Sequence, residues 1–361
     1  MATSRTDSLI ASTGARDYST VQAWEDDIGV GLGTSTNLIT DDYDHYGWLK
    51  AEEFDEAEIT IGGHTCDATH KIYLAADSNG ATTTASQHSR TKTDAALMDD
   101  SSRALVYNTS YASILCNNGY AYGLNVTDTY TEVSRLQFKK VAGNLKGVRL
   151  AANCVFNRCL LEGYQGGGSY PMFLPVSSVV VYSSIFINVG SVAVSIFDTN
   201  AAIINCTVVR SSTASLSSTG KQASVGYSRP DFENCAFFGG GAGTEYIAKN
   251  ITTPFATLDY NATDFTDLTS LSGEGANNTY SLTQTDQFTA VDNTDWSVKS
   301  GHGLGVGTNK TATVAVDIWG VAFETGTSIV GCEQFASAPL QKTPRCITTS
   351  TRLIVMTHQH P

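Results

Sequence analysis

An all-β solenoid of stacked parallel coils is the fold class this chain predicts. Three observations lead there: a short apolar motif repeated down its middle, the spacing of the repeats, and a composition rich in turn formers. The motif is an apolar residue followed three and five positions later by apolar or small ones: Val133/Leu136/Phe138, Phe156/Cys159/Leu161, Val181/Ser184/Phe186, Ile203/Cys206/Val208 and Phe232/Cys235/Phe237. Its central members stand 23, 25, 22 and 29 residues apart, too irregular for a coiled coil and in the range of stacked supersecondary units. In 361 residues, 32 Gly against 7 Pro and only 16% charged side chains suit a turn-dense β structure, and 41% hydrophobic content can fill a large core.

Within each motif the last two members have strand spacing, while the first lies three back and is separated from them by a bend. The residue before the bend's exit is Arg135, Arg158, Ser183, Asn205 or Asn234. Asn tolerates left-handed backbone, so Asn205 and Asn234 suit a sharp turn between two short strands. Coils stacked about 4.8 Å apart pair each strand in parallel with its equivalent one coil on. Cys159, Cys206 and Cys235 then form an inward ladder, and the 8 cysteines are expected as free, buried thiols rather than disulfides. An antiparallel sandwich is disfavoured, because no Asn-Gly or Asp-Gly hairpin signal joins these runs.

From the N-terminus, residues 1–13 are expected to be a polar leader and 14–30 to hold a short capping helix. Ser19 followed by Gln22 signals a capping box, and Val21, Trp24 and Ile28 fall on one helical face able to plug the first coil. Residues 31–335 are read as the solenoid with lateral loops. The stretch 77–94 is too polar for core, the regular coils occupy about 133–245, 259–281 is an excursion, and closing coils run from about 288 to 335. Residues 336–361 carry Lys342, Arg345 and Arg352 and no acid, so this tail is +3 against −16 for the rest of the chain. It is predicted as a basic partner-binding arm, in which TRLIVMT (351–357) could extend a sheet edge.

The segments GARDYSTVQAWEDDI (14–28), EITIGGHTCDATHKIYLAAD (58–77) and DWSVKSGHGLGVG…VDIWG…IVGCEQF (295–335) resemble right-handed parallel β-helix proteins of the pectate-lyase-like superfold. Such chains are common among bacteriophage structural proteins and bacterial surface proteins. The resemblance implies a right-handed parallel β-helix with a short N-terminal capping helix, and lateral association in threes. This chain departs from the pattern at GHGLGVG, where a Ser-Pro is common, and at Cys332-Glu333, where a Tyr-Glu is common. These end motifs imply closure of the solenoid and no chemistry.

A net charge of −13 argues against a nucleic-acid partner. No run approaches a membrane span, and residues 1–13 lack the apolar core of a signal peptide, so export by that route is not expected. Asp231 and Glu233, two apart on one strand face and so about 7 Å apart, have a spacing that suits inverting glycoside hydrolysis. The neighbouring coils, however, offer Gln137, Arg158, Tyr182 and Asn205 and no acidic cluster, so solvated carboxylates are expected and no catalytic residue is assigned. DDYDHY (41–46) and EEFDEAE (52–58) lack the ligand order of a calcium loop and read as solvated faces. His64, Cys66 and His70 lack a fourth ligand at zinc spacing and are expected in a turn. GHGLGVG (301–307) lacks the setting of a phosphate loop and reads as a tight backbone crossing. No cofactor or metal is therefore expected. The function expected is a trimeric, non-enzymatic protein of a phage virion, docked on the major capsid protein or another virion protein. The alternatives are a polysaccharide depolymerase, or an adhesin that binds a host surface glycan through tyrosines of SYASILCNNGYAYG (110–123).

Overall fold

A computed structural model describes residues 4–14, 16–28, 36–77, 105–117, 121–141, 146–164, 170–175, 178–187, 194–196, 201–210, 223–225, 231–239, 247–249, 257–266, 274–292, 295–305, 307–308, 317–319 and 330–333. Three parallel sheets wind around one core. The first stacks Ser4–Ile10, Tyr43–Leu49, Ile72–Ala76, Thr131–Ser134, Val155–Asn157, Val180–Tyr182, Ala202–Ile204, Asp231–Glu233 and Thr257–Asp259 in that order. The second runs from Ile59–Ile61 to Ile247–Lys249, and the third from Glu53–Phe54 to Ala262–Thr263. Every strand joins its equivalent one coil on, as in Phe156↔Val181↔Ile203↔Phe232↔Leu258. This is the parallel β-helix expected, and right-handed winding is what the crossover rule for parallel strands requires.

The bends explain the motif. Arg135, Arg158, Ser183, Asn205, Asn234 and Tyr260 form one column of left-handed residues, with φ between 47° and 59°. A second left-handed column, Tyr130, Asn153 and Ser178, marks the turn into the first sheet. At four of these six bends the next position carries a short donor that reaches back to the carbonyl two residues before the bend's exit. Cys159 Sγ donates to Asn157 O at 3.2 Å, Cys206 Sγ to Ile204 O at 3.4 Å, Cys235 Sγ to Glu233 O at 3.3 Å, and Ser184 Oγ to Tyr182 O at 2.9 Å. A small body with one donor fills the corner and satisfies a buried carbonyl, which is why Cys and Ser recur there. All seven described cysteines are free and buried. Left-handed backbone costs a non-glycine side chain about 1 kcal/mol, and Tyr260 is the bulkiest residue in that column. Tyr260→Asn is expected to stabilise the fold by about 0.5–1 kcal/mol, read as a rise in Tm; an unchanged or lower Tm would mean the ring's packing outweighs the backbone strain.

Both ends differ from expectation. Ser4–Ile10 is no leader: it pairs in parallel along Tyr43–Leu49 and opens the first sheet, with Leu9 and Ile10 buried. The helix Val21–Asp27 follows it and plugs the coil as predicted, with Val21, Trp24 and Ile28 at most 1% exposed. Its N-cap is Thr20 rather than Ser19, and Gln22 is used elsewhere, its Oε1 accepting from Thr60 N at 2.8 Å.

At the other end the parallel ladder reaches Thr257–Asp259 and Ala262–Thr263, and 288–298 does not continue it. Phe288–Ala290 and Asp295–Val298 pair antiparallel. This C-terminal strap turns back over the outer face of the third sheet, whose strands Ile185–Ile187, Thr207–Val209 and Ala236–Phe238 are buried throughout. Phe288 stands edge-on to Phe238 (ring centroids 5.1 Å apart) and to Trp296 (5.7 Å). The strap is pinned along the solenoid by Cys332 N to Thr207 Oγ1 (2.9 Å), Gln284 Nε2 to Arg210 O (2.8 Å), Arg158 Nε to Ile318 O (3.2 Å) and Trp296 N to Leu105 O (3.2 Å). The glycine-rich crossing behaves as expected: Asn234 bonds both the N–H and the carbonyl of Thr308, and a Cβ on Gly307 would lie 2.6 Å from its side chain.

Candidate functional site

Asp231 and Glu233 do share the outer face of one first-sheet strand, flanking buried Phe232. Of the neighbours expected, Tyr182 stands on the same column as Glu233, two coils back, and the others do not. Gln137 belongs to the third sheet and Arg158 and Asn205 to the bends, whereas in register Asp231 lies between Ala202 and Thr257, and Glu233 between Ile204 and Asp259. Asp259 thus adds a third carboxylate beside Glu233. It is tied down: Asp259 Oδ1 accepts from Asn277 N at 2.9 Å and Oδ2 from Asn277 Nδ2 at 2.8 Å. Asp231 and Glu233 are half-buried on the strand face.

The second sheet carries a different surface. Tyr122 and Phe173, both half-buried, stack with centroids 6.1 Å apart. Lys146 Nζ lies 4.5 Å from the Phe173 centroid and 5.2 Å from that of Tyr122, and the Arg149 guanidinium 5.8 Å from Tyr122. These cations belong to a basic coil, for 131–150 holds Arg135, Lys139, Lys140, Lys146 and Arg149 against one acid, Glu132. Aromatic faces flanked by cations can stack on an apolar ring face while meeting an anionic group beside it. Of the tyrosines expected to meet a glycan, Tyr122 is part of this surface, Tyr111 packs against the core, and Tyr120 lies outside the described residues.

The acid-rich stretches are solvated at Glu53 and Asp55 but form joints at Asp44, Glu56 and Glu58. Glu56 accepts from Val21 N (2.7 Å) and Gln22 N (3.1 Å) and so caps the helix; Glu58 accepts from Ala121 N (3.1 Å), and Asp44 from Lys71 N (2.7 Å). Burial pushes Glu56 above the usual carboxylate range despite its two N–H donors.

The structure separates His64, Cys66 and His70. His70 is held between Asp67 and Asp42 at 2.9 Å each, and the buried Cys66 thiol is pushed up to about 12 by burial. His64 instead meets two acids distant in sequence. Its Nδ1 lies 2.7 Å from Asp128 Oδ2 and 3.6 Å from Glu25 Oε1, with all three side chains at most 7% exposed. Burial alone would depress the imidazolium, but the hydrogen bond and charge of Asp128 outweigh it and His64 moves up. Burial also raises Glu25, against the Gly62 N–H that it accepts at 2.9 Å. On the flank of the third sheet Glu333 is enclosed beneath the strap, where Oε2 accepts from Val298 N (2.6 Å) and Oε1 from Trp319 Nε1 (2.7 Å); burial lifts it to about 7. Lys342, Arg345 and Arg352 lie outside the described residues.

No protein-family model matches this chain, and no curated protein does. Among solved structures it is similar to a pectin methylesterase from Aspergillus niger in penultimately deglycosylated form, at 13% identity and a TM-score of 0.39, covering 88% of this chain and 96% of that one. The deglycosylated form of that enzyme gives the same identity and TM-score, over 85% and 92% of the two chains. At that level no activity transfers to this chain.

Proposed function

We propose that this chain is a non-enzymatic structural protein of a bacteriophage virion: a rigid, end-capped solenoid, trimeric, that decorates the shell and docks on the major capsid protein through the basic segment 336–361. One observation carries the non-enzymatic part. Enzymes concentrate perturbed ionisable groups in the cleft where substrate reacts; here the shifted groups are spread apart, Glu25 and His64 in the joint under the capping helix and Glu333 beneath the strap on the flank of the third sheet. Asp231 and Glu233 lie half-buried on a strand face, and Asp259 is held by Asn277. The phage setting rests on the resemblance of the end segments, and docking on the charge contrast between tail and body.

The Tyr122–Phe173 surface favours a second reading, attachment to an anionic glycan without turnover. Co-sedimentation of full-length and 1–335 protein with assembled phage shells at rising salt tests the first. Binding that needs the tail and weakens with salt is expected. Absence of binding by either form overturns docking. Reducing-sugar release from host polysaccharide that vanishes in Asp231→Asn and Glu233→Gln would overturn the non-enzymatic assignment.

A further inference from the structure

The helix plug, the turn after Ile59–Ile61 and the turn before Thr131–Ser134 converge on one point, and each supplies a single ligand-bearing side chain. Glu25 comes from the helix, His64 from the first turn and Asp128 from the second, with one ligand atom of each within 4.8 Å of the others. We propose that Glu25, His64 and Asp128 form a site for a divalent transition-metal ion, zinc being the ion that fits, which pins the capping helix to the two adjacent coils.

The geometry supports this in three ways. First, His64 Nδ1 is the ring nitrogen that faces both carboxylates, so one imidazole nitrogen and two acids share a common centre. Second, the separations of 2.7 and 3.6 Å from Nδ1 to Asp128 Oδ2 and Glu25 Oε1 bracket the spacing of about 3.3 Å between ligands bound some 2.0–2.1 Å from one ion. Small side-chain shifts would seat an ion, because the main-chain donors already orient both acids: His64 N reaches the two Asp128 oxygens at 3.1 and 3.2 Å, and Gly62 N holds Glu25. Third, formal charge is left over. Two nearly enclosed carboxylates face one imidazole, whose single positive charge can match only one of them; a divalent cation beside a neutral imidazole matches both.

An independent sign lies alongside. His45 is fully buried on an adjacent first-sheet strand, neither of its ring nitrogens has a hydrogen-bond partner among the described residues, and it lies close enough to His64 for the two charges to oppose each other. One imidazole and two carboxylates suit zinc, cobalt or manganese, whereas calcium takes six to eight oxygens and magnesium keeps most of its waters.

Full-length protein, stripped with chelator, would be titrated with zinc chloride by calorimetry and its Tm followed; calcium and magnesium chloride serve as comparisons. One zinc per chain is expected, with micromolar or tighter Kd, a raised Tm and little response to calcium or magnesium. Glu25→Gln keeps the acceptor for Gly62 N and removes one ligand charge, so a Kd at least tenfold weaker is expected. His64→Gln should abolish binding, with circular dichroism reporting that the solenoid still forms. Cobalt in place of zinc should give visible bands without thiolate charge transfer. Failure of the stripped protein to take up zinc at 100-fold molar excess would overturn the proposal and leave a proton shared within the cluster as the balancing charge. Zinc uptake that survives both variants, or a thiolate band with cobalt, would overturn it by placing the ion on cysteines.

Discussion

Trp24→Ala is expected to destabilise the protein by about 3–5 kcal/mol and to cause end-to-end association. The indole is fully enclosed, and a Cβ on Gly47 would lie 3.0 Å from three of its ring atoms, so the ring rests directly on the backbone of the second first-sheet strand. Removing it leaves a cavity that Val21 and Ile28, fixed on the same short helix, cannot refill. It also uncovers a sheet end whose strands can pair with another copy. Denaturant unfolding gives the stability, and sedimentation velocity the association. A loss under about 1 kcal/mol with a monodisperse sample would mean that the helix is dispensable as a plug.

The second large effect is a loss of stability with rising pH that one residue carries. Glu333 in the folded chain titrates at about 7 against an ordinary value of 4.5, because burial beneath the strap disfavours its charge more than the Val298 and Trp319 N–H groups favour it. The folded state therefore binds that proton more tightly than the unfolded state. Its contribution is present in full below about pH 4.5 and is lost as pH rises through about 7, a swing of about 3 kcal/mol. Glu333→Gln should lose one of the two hydrogen bonds at every pH and flatten this slope. The test is the difference between the wild-type and variant Tm across pH 4 to 8, in which other titrating groups cancel. A difference that does not vary with pH would exclude Glu333 as the source.

What was legible in the sequence was what repeats. The bend positions Arg135, Arg158, Ser183, Asn205 and Asn234 could be read because an apolar residue stands two before and an apolar or small one directly after each, and all five are left-handed. The sixth coil obeys the same spacing as Leu258/Asn261/Thr263 but hides it, since two members are polar. Asn261 fills the cysteine position by accepting from Cys235 N at 2.9 Å and donating to Phe232 O at 3.0 Å, and with that coil went Asp259. The opening strand was obscured because Ser4–Ile10 is polar through most of its length, apolar only at Leu9 and Ile10, while its buried Asp7 and Ser8 give no apolar signal. The strap left a trace that could have been used. IFI and AFF are unbroken apolar runs and TVV is broken only by Thr207, the mark of strands buried on both faces, whereas an open outer face would alternate. The Glu25–His64–Asp128 joint had no local signal, its members being brought together from three segments by the winding itself.

The strap changes how the molecule should carry load. A bare solenoid is a stack of nearest-neighbour contacts, so a pull along its axis can peel one coil at a time. A segment anchored at Leu105, Arg158, Thr207, Arg210 and Asn234 spans many of those junctions at once. Like a tie rod along a coil spring, it makes separation of any one junction strain the others. The chain is thereby built to yield all together rather than coil by coil.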